Sequence, residues 1–262
     1  MSRLAKRKLF DRPNRNLLRE LIWSKFKMGD QNTFFGILWS LAGPLVFLLI
    51  MYFIFRQNFG HGVYAYPLYL LLGIVCANFF ITATGYISRI FFYNRDIVLN
   101  TTIRREILIL SESFVHIYKF MIELAICYIL SIFYGLFSWK GFILSLPLFS
   151  AYIVFVLGIS MIISLAYCFT RDIYHIWTIL MRMLFFVTPI FYTLEKLPRL
   201  AKELIYLLNP LTPFVISFHE VFMSKGRIDW FTYAYSMFLA VFYFGLAYYL
   251  FVLFENKGME KI

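Results

Sequence analysis

Long apolar runs recur along this chain of 262 residues, separated by short polar stretches. A hydrocarbon layer about 30 Å thick needs about 20 residues of helix at about 1.5 Å per residue. Six runs approach or exceed that length: Thr33–Phe55, Tyr66–Phe92, Leu108–Phe137, Phe142–Phe169, Ile173–Tyr192 and Trp230–Phe254. The fold class they predict is an all-α integral membrane protein with six transmembrane helices. An N-terminal amphipathic interface helix precedes them, and a re-entrant helical hairpin stands before the last span. No separate soluble domain fits. Residues 1–32 form the arm and interface helix, and residues 33–262 form the membrane domain.

Three stretches outside the spans carry a pattern of their own. From Asn16 onward, Leu17, Leu18, Leu21, Ile22 and Phe26 fall on one helical face, with Arg15, Arg19, Lys25 and Lys27 largely elsewhere. That pattern predicts a helix lying in a membrane surface, and a helix packed on a partner protein would share it. The connection 94–106 is short, charged at both ends and apolar at Ile97, Val98 and Leu99. Three exposed apolar residues in a row need a cover, which docking against a partner would supply; a solvated turn is the simpler reading. The third stretch, Thr193–Arg227, repeats Leu197, Leu200, Leu204, Ile205 and Leu208 at helical spacing. It breaks at Asn209-Pro210-Leu211-Thr212-Pro213 and resumes as an apolar piece, Phe214–Met223. Each piece is too short to span, so two half-helices dipping into the outer leaflet are expected, with Asn209, Pro210 and Pro213 at the turn; an extracellular loop lying on the surface is the alternative.

Charge gives these elements an orientation. The net charge is +11 and only 15% of residues are charged. In a soluble protein that excess would point to nucleic acid; here the basic residues flank the spans, and no nucleic acid is expected. With both termini inside, nine Lys/Arg of the arm join Arg95, Arg104, Arg105, Arg171, Lys257 and Lys261 to make fifteen inside. Seven lie outside: Arg56, Lys140, Lys196, Arg199, Lys202, Lys225 and Arg227. Positive charge favours the cytoplasmic side, so both termini are expected there. Cys76, Cys127 and Cys168 fall within spans and read as inert buried thiols, not as a disulfide or metal set. The first apolar run follows a basic arm, so no cleavable signal peptide is expected.

Charges inside spans are costly and mark candidate sites. The third span places Glu112, His116, Lys119 and Glu123 at spacings of four, three and four, on one stripe. The second span carries Asn78, Thr82, Gly85 and Arg89 at the same spacing. Arg182 lies about 14 Å along the fifth span and Glu123 about 22 Å along the third, within reach of a long arginine. Glu112/His116, Lys119/Glu123 and Arg182/Glu123 are the expected pairs, neutralising one another between helices; direct substrate contact and a proton relay are the alternatives. Among the many aromatics, Tyr52, Tyr66, Tyr69 and Tyr86 are candidate sugar-path residues, since a tyrosine offers a flat apolar face and a hydroxyl. No phosphate-binding glycine loop, paired-histidine metal motif or nucleophile elbow occurs. No catalytic residue, metal or cofactor is therefore expected in this chain.

An ordered set of motifs adds a resemblance. It comprises Leu17-Leu18-Arg19-Glu20-Leu21, Lys25-Phe26-Lys27, Phe35-Gly36-Ile37-Leu38-Trp39, Pro44, Gly73 and Asn78-Phe79-Phe80. It continues with Ile103-Arg104-Arg105-Glu106-Ile107-Leu108, Thr170-Arg171-Asp172, Thr188-Pro189-Ile190-Phe191-Tyr192 and Asn209-Pro210-Leu211. The chain resembles the permease subunit of ABC-2 type polysaccharide exporters, most closely the O-antigen branch. That resemblance implies a homodimer of six-span subunits in a bacterial inner membrane, with two cytoplasmic ABC ATPase subunits. ATP and Mg would bind the ATPase, and a polyprenyl-diphosphate-linked glycan would move outward. It also implies that residues 94–106 act as a coupling helix, with Arg95, Asp96, Ile97, Arg104, Arg105 and Glu106 at or beside the ATPase. The loop before the last span would form re-entrant gate helices. Capsule or teichoic-acid export, and a membrane-embedded transferase acting on lipid-linked sugars, are the alternatives.

Overall fold

The computed structural model describes residues 12–30, 38–59, 63–100 and 104–259. The start of the basic arm, the first residues of the first expected span and residues 101–103 of the connection lie outside them. The described residues form helices and loops only. In chain order the helices are α1 (Arg12–Asp30), α2 (Leu38–Phe59), α3 (Tyr66–Ile87), α4 (Ile90–Tyr93), α5 (Arg95–Asn100) and α6 (Glu106–Phe133). They continue with α7 (Trp139–Phe169), α8 (Ile173–Val187), a 3₁₀ turn at Leu194–Lys196, α9 (Arg199–Leu208), α10 (Thr212–Met223) and α11 (Trp230–Met259).

Four of these, α3, α6, α7 and α11, are long and apolar enough to cross a membrane, making this a multi-pass membrane protein. Helix α2, where the first expected span falls, has 22 residues, and the first residues of that span lie outside the described ones. Helix α8 has 15 residues, about 22 Å of rise against a layer of about 30 Å. The fifth expected span ends in a non-helical segment, Thr188–Tyr192, which is buried or half-buried. Two tyrosines in the first turn of α3 hold it in place. Tyr66 donates to the Phe191 carbonyl at 2.9 Å, and Tyr69 to the Pro189 and Tyr192 carbonyls at 3.1 and 2.8 Å. Non-helical backbone needs such partners wherever water is scarce.

Helix α3 is apolar over most of its surface and lies at the centre, touching α2, α6, α7, α8 and α10. Its neighbours meet it through aromatic rings. Phe79 stacks on Phe120 of α6 with centroids 4.4 Å apart, and Phe80 faces Phe155 of α7 at 5.5 Å. Tyr152 of α7, fully buried, donates to the Cys76 carbonyl at 2.7 Å. The three cysteines are buried and free, as expected. The most extensive pairing joins α7 to α11, which close on each other at Gly158. Absence of a side chain there lets two backbones approach, the usual device when lipid competes for apolar contact.

Charged residues gather at one end of this bundle, around α5 and the facing ends of α6, α7 and α11, called here the basic end. The opposite, loop end carries the turns after α6 and α8 and the pair α9–α10. Helix α1 packs along α6 near the basic end, with Leu21 against the core and Lys25 bonded to Glu112.

Candidate functional site

The polar stripes of the second and third expected spans meet on one wall of the bundle. Asn78 and Thr82 of α3, with Tyr86, face His116, Lys119 and Glu123 of α6 across a cavity of about 190 Å³. Thr82 and Tyr86 also border a second cavity, of about 360 Å³, between α3 and α8. It is completed by Gly85, Arg89, Tyr174, Thr178 and Arg182. One turn of α3 thus separates two polar recesses and belongs to both. Helical spacing of the stripe explains the arrangement: residues three or four apart share a face, and the apolar remainder of α3 turns inward.

Within this seam the charges are paired differently from the sequence expectation. Glu112 and His116 do meet, His116 Nε2 standing 3.7 Å from Glu112 Oε1. The main partner of Glu112, however, is Lys25 of α1, which also reaches Ser111 Oγ at 3.3 Å. Nothing in the spacing of α6 signals that partner, because it comes from a helix 87 positions away. Glu123 is buried beside Lys119 and Asn78, as its stripe suggests. The expected ion pair between Arg182 and Glu123 does not form. Helix α3 packs between α6 and α8, so the two groups border different cavities on either side of it. Similar depth along two helices is no guarantee of contact when a third helix stands between them.

The four candidate sugar-path tyrosines also separate. Tyr86 is 55% exposed, borders both cavities and lies 5.3 Å from the His116 ring. Tyr66 and Tyr69 instead fasten the Thr188–Tyr192 segment through the bonds given above. The Tyr69 ring also stacks on His219 of α10 at 3.8 Å, and His219 Nε2 bonds the Tyr69 carbonyl at 2.9 Å. Tyr52 is half-buried, its ring 6.4 Å from Tyr66 and 5.2 Å from the Arg56 guanidinium.

At the basic end, Arg95 and Asp96 of α5 are exposed. Of the apolar triplet, Val98 is buried at 8% exposure, Ile97 is half-buried and packed on the core, and Leu99 stays 55% exposed. A short helix resolves the exposed triplet, turning two of the three side chains inward. Arg104 and Arg105 are half-buried and engaged within the chain. Arg104 pairs with the buried Glu106 at 2.7 Å, a bond that raises the arginine above its usual value. Arg105 pairs with Glu255 of α11 at 2.7 Å and reaches Asn256 at 3.3 Å. It ties the start of α6 to the end of α11.

At the loop end, the chain breaks where Asn209-Pro210 predicts. Between α9 and α10 it bends by 102°, and the two pieces differ in kind. Helix α10 is almost wholly buried against α3, α6, α7 and α11, with Phe214 and Phe218 at its centre. Helix α9 buries none of its residues and exposes Leu200, Leu204, Leu207 and Leu208. Asn209 is the joint: its side chain donates to Thr188 Oγ1 at 2.8 Å and accepts from the Leu211 amide at 3.0 Å. Pro213 does not repeat the break. It sits in the first turn of α10, where a missing amide hydrogen costs nothing. A cavity of about 840 Å³ lies under α9, bordered by Lys202, Tyr206, His219, Glu220, Asp229 and Thr232. Sequence reasoning missed it, since its walls come from five separate segments.

No family model matches the chain. Curated relatives do. Two proteins of Klebsiella pneumoniae described as "O-antigen export system permease protein RfbA" are 27% and 26% identical over 199 residues, 76% of this chain and 76% of theirs. A protein of Myxococcus xanthus with the same description is 23% identical over 216 residues, 82% of this chain and 83% of that protein. The resemblance carried by the ordered motifs therefore holds: over most of its length this chain is similar to the permease proteins of O-antigen export systems.

Proposed function

We propose that this chain is the membrane-embedded permease subunit of an ATP-driven exporter. It moves a polyprenyl-diphosphate-linked polysaccharide of the O-antigen class across a bacterial inner membrane. The observation that carries the reading is the similarity, over most of the chain, to O-antigen export permeases. The three relatives agree in description, which favours that branch over capsule or teichoic-acid polymers and over a transferase. The seam of Asn78, Thr82, Tyr86, Arg89, His116 and Lys119 supports it with chemistry: these groups offer polar contacts to a sugar chain along a wall otherwise built from apolar side chains.

In this reading two copies face each other, and each docks a cytoplasmic ABC ATPase that supplies ATP and Mg chemistry. The basic end faces the cytoplasm with both termini, as the excess of Lys and Arg there favours. Helix α5 is the docking element, presenting Arg95, Asp96 and Leu99 outward. Helices α9 and α10 form the outer gate, with α9, which buries nothing, as its moving part. Co-expression with a candidate ABC ATPase from the same organism tests the proposal. The two proteins should co-purify and, in proteoliposomes, move a lipid-linked glycan only with ATP. Asp96→Arg with Leu99→Glu should abolish co-purification. Absence of ATP-dependent glycan movement by a stable complex of the unaltered proteins would refute the export reading.

A further inference from the structure

The cavity between α3 and α8 has a charge imbalance that nothing among the described residues relieves. Arg89 and Arg182 both border it, and no carboxylate stands among its lining residues. Neither arginine belongs to an ion pair among the described residues. Glu112, Glu106 and Glu255 are committed elsewhere, to Lys25, Arg104 and Arg105, and Asp96 and Asp172 are exposed and do not line the cavity. Glu123 borders the other cavity. Unpaired cations at membrane depth are costly and rare unless something anionic visits them.

Arg89 is also held in a way that suits reception. Its guanidinium lies over the Tyr174 ring at 4.0 Å and near the Tyr93 ring at 5.2 Å. Ring contacts fix the plane of the group without using up its hydrogen-bond donors. Its Nε is buried and has no partner. The threonine hydroxyls beside it are spent: Thr82 donates to the Asn78 carbonyl at 2.7 Å and Thr178 to the Tyr174 carbonyl at 2.8 Å. The donors left without an acceptor on this wall are therefore two guanidinium groups and the Tyr86 and Tyr174 hydroxyls. Guanidinium forks match phosphate oxygens geometrically. A volume of about 360 Å³ is in the range of small-ligand sites. Arg89 stands just past the end of α3 at the basic end, and Arg182 about 14 Å along α8. An anion held between them would extend from the membrane edge inward.

We propose that this cavity binds a phosphate-bearing group, with Arg89 and Arg182 as its cationic ligands. The proposal takes from the export reading only the source of the phosphate, a prenyl diphosphate; a membrane phospholipid is the other source of the same chemistry. The test uses the full chain in phosphatidylcholine nanodiscs. Farnesyl diphosphate is titrated calorimetrically into the wild type, R89Q, R182Q, R89Q/R182Q, R89K/R182K and, as a distant control, K202Q. Removing one arginine should weaken binding about tenfold and removing both on the order of 100-fold, as expected for charge-assisted hydrogen bonds. The lysine pair should restore part of the affinity, and K202Q should match the wild type. Discs containing phosphatidylglycerol separate the sources. Undiminished farnesyl diphosphate binding there assigns the site to a prenyl diphosphate; strong competition assigns it to the phospholipid, and both outcomes retain the anion site. Equal affinity of all variants, each monodisperse and folded by circular dichroism, would overturn it. The two readings fail separately: equal affinity of all variants beside normal export by the wild type would sink this site alone, while arginine-dependent binding without any export by the wild type would sink the export reading alone.

Discussion

Gly158→Ala tests the closest helix contact in the bundle. A β-carbon on Gly158 would stand 2.8 Å from the Phe244 nitrogen, 2.9 Å from its Cα and 3.0 Å from the Tyr243 carbonyl carbon. Favourable contacts between such atoms lie at about 3.5–4.0 Å. The atoms in the way are backbone, so no rotamer change relieves the clash. Helices α7 and α11 must move apart by several tenths of an ångström along their most extensive interface. Overpacking of this kind costs about 1–3 kcal/mol. Alanine returns up to about 1 kcal/mol of helix propensity, which leaves a net loss of about 0–3 kcal/mol, so a second glycine that shares the gain is the proper reference. Gly245, next to Phe244 on α11, is the internal control: a β-carbon there meets nothing within 4 Å. Gly245→Ala should keep the propensity gain and lose nothing. Thermal unfolding of detergent-solubilised protein, followed by tryptophan fluorescence, measures both. At about 2–4 °C per kcal/mol for a chain of this size, Gly158→Ala should melt roughly 2–12 °C below Gly245→Ala, and Gly245→Ala at or above the wild type. If the two variants shift together, the close approach of α7 and α11 is wrong.

Arg105→Glu should lower the melting temperature and Glu255→Arg should do likewise, while the double exchange recovers most of the loss; additive losses would dismiss the α6–α11 tie. A second double-mutant cycle on Lys25→Met and Glu112→Gln should give a coupling of about 0.5–3 kcal/mol, and zero coupling would detach α1 from the seam. Asp229 caps α11, accepting from Thr232 Oγ1 at 2.7 Å and from the Phe231 and Thr232 amides at 3.1 and 3.3 Å. The Thr232 hydroxyl, foremost, holds its carboxyl below the ordinary 3.8, so its stabilisation is full above that value and is lost as pH falls through the lower folded one. Asp229→Ala should cost about 1 kcal/mol at neutral pH and less once the carboxyl is protonated in both states. Single cysteines at Leu200 and Leu204 of α9 should react with an impermeant thiol reagent, and those at Val215 and Phe218 of α10 should not; equal labelling would refute the difference between the two pieces.

The sequence by itself determined the helical class, the placement of most spans and the break at Asn209-Pro210. Those properties are local. Apolar length, period and the missing amide hydrogen of proline act within a few turns, so they are written in consecutive residues. The two polar stripes were legible for the same reason, as was the resemblance in the ordered motifs. Pairing was not. Lys25 and Glu112 meet across two helices, Arg105 finds Glu255 near the other end of the chain, and α3 keeps Arg182 from Glu123. Tyr66 and Tyr69 looked like free aromatics until the return segment after α8 claimed their hydroxyls. Nor could the chain announce that Arg89 and Arg182 share a cavity without a counter-charge. Which charges neutralise each other depends on which helix stands between them, and only tertiary packing sets that order.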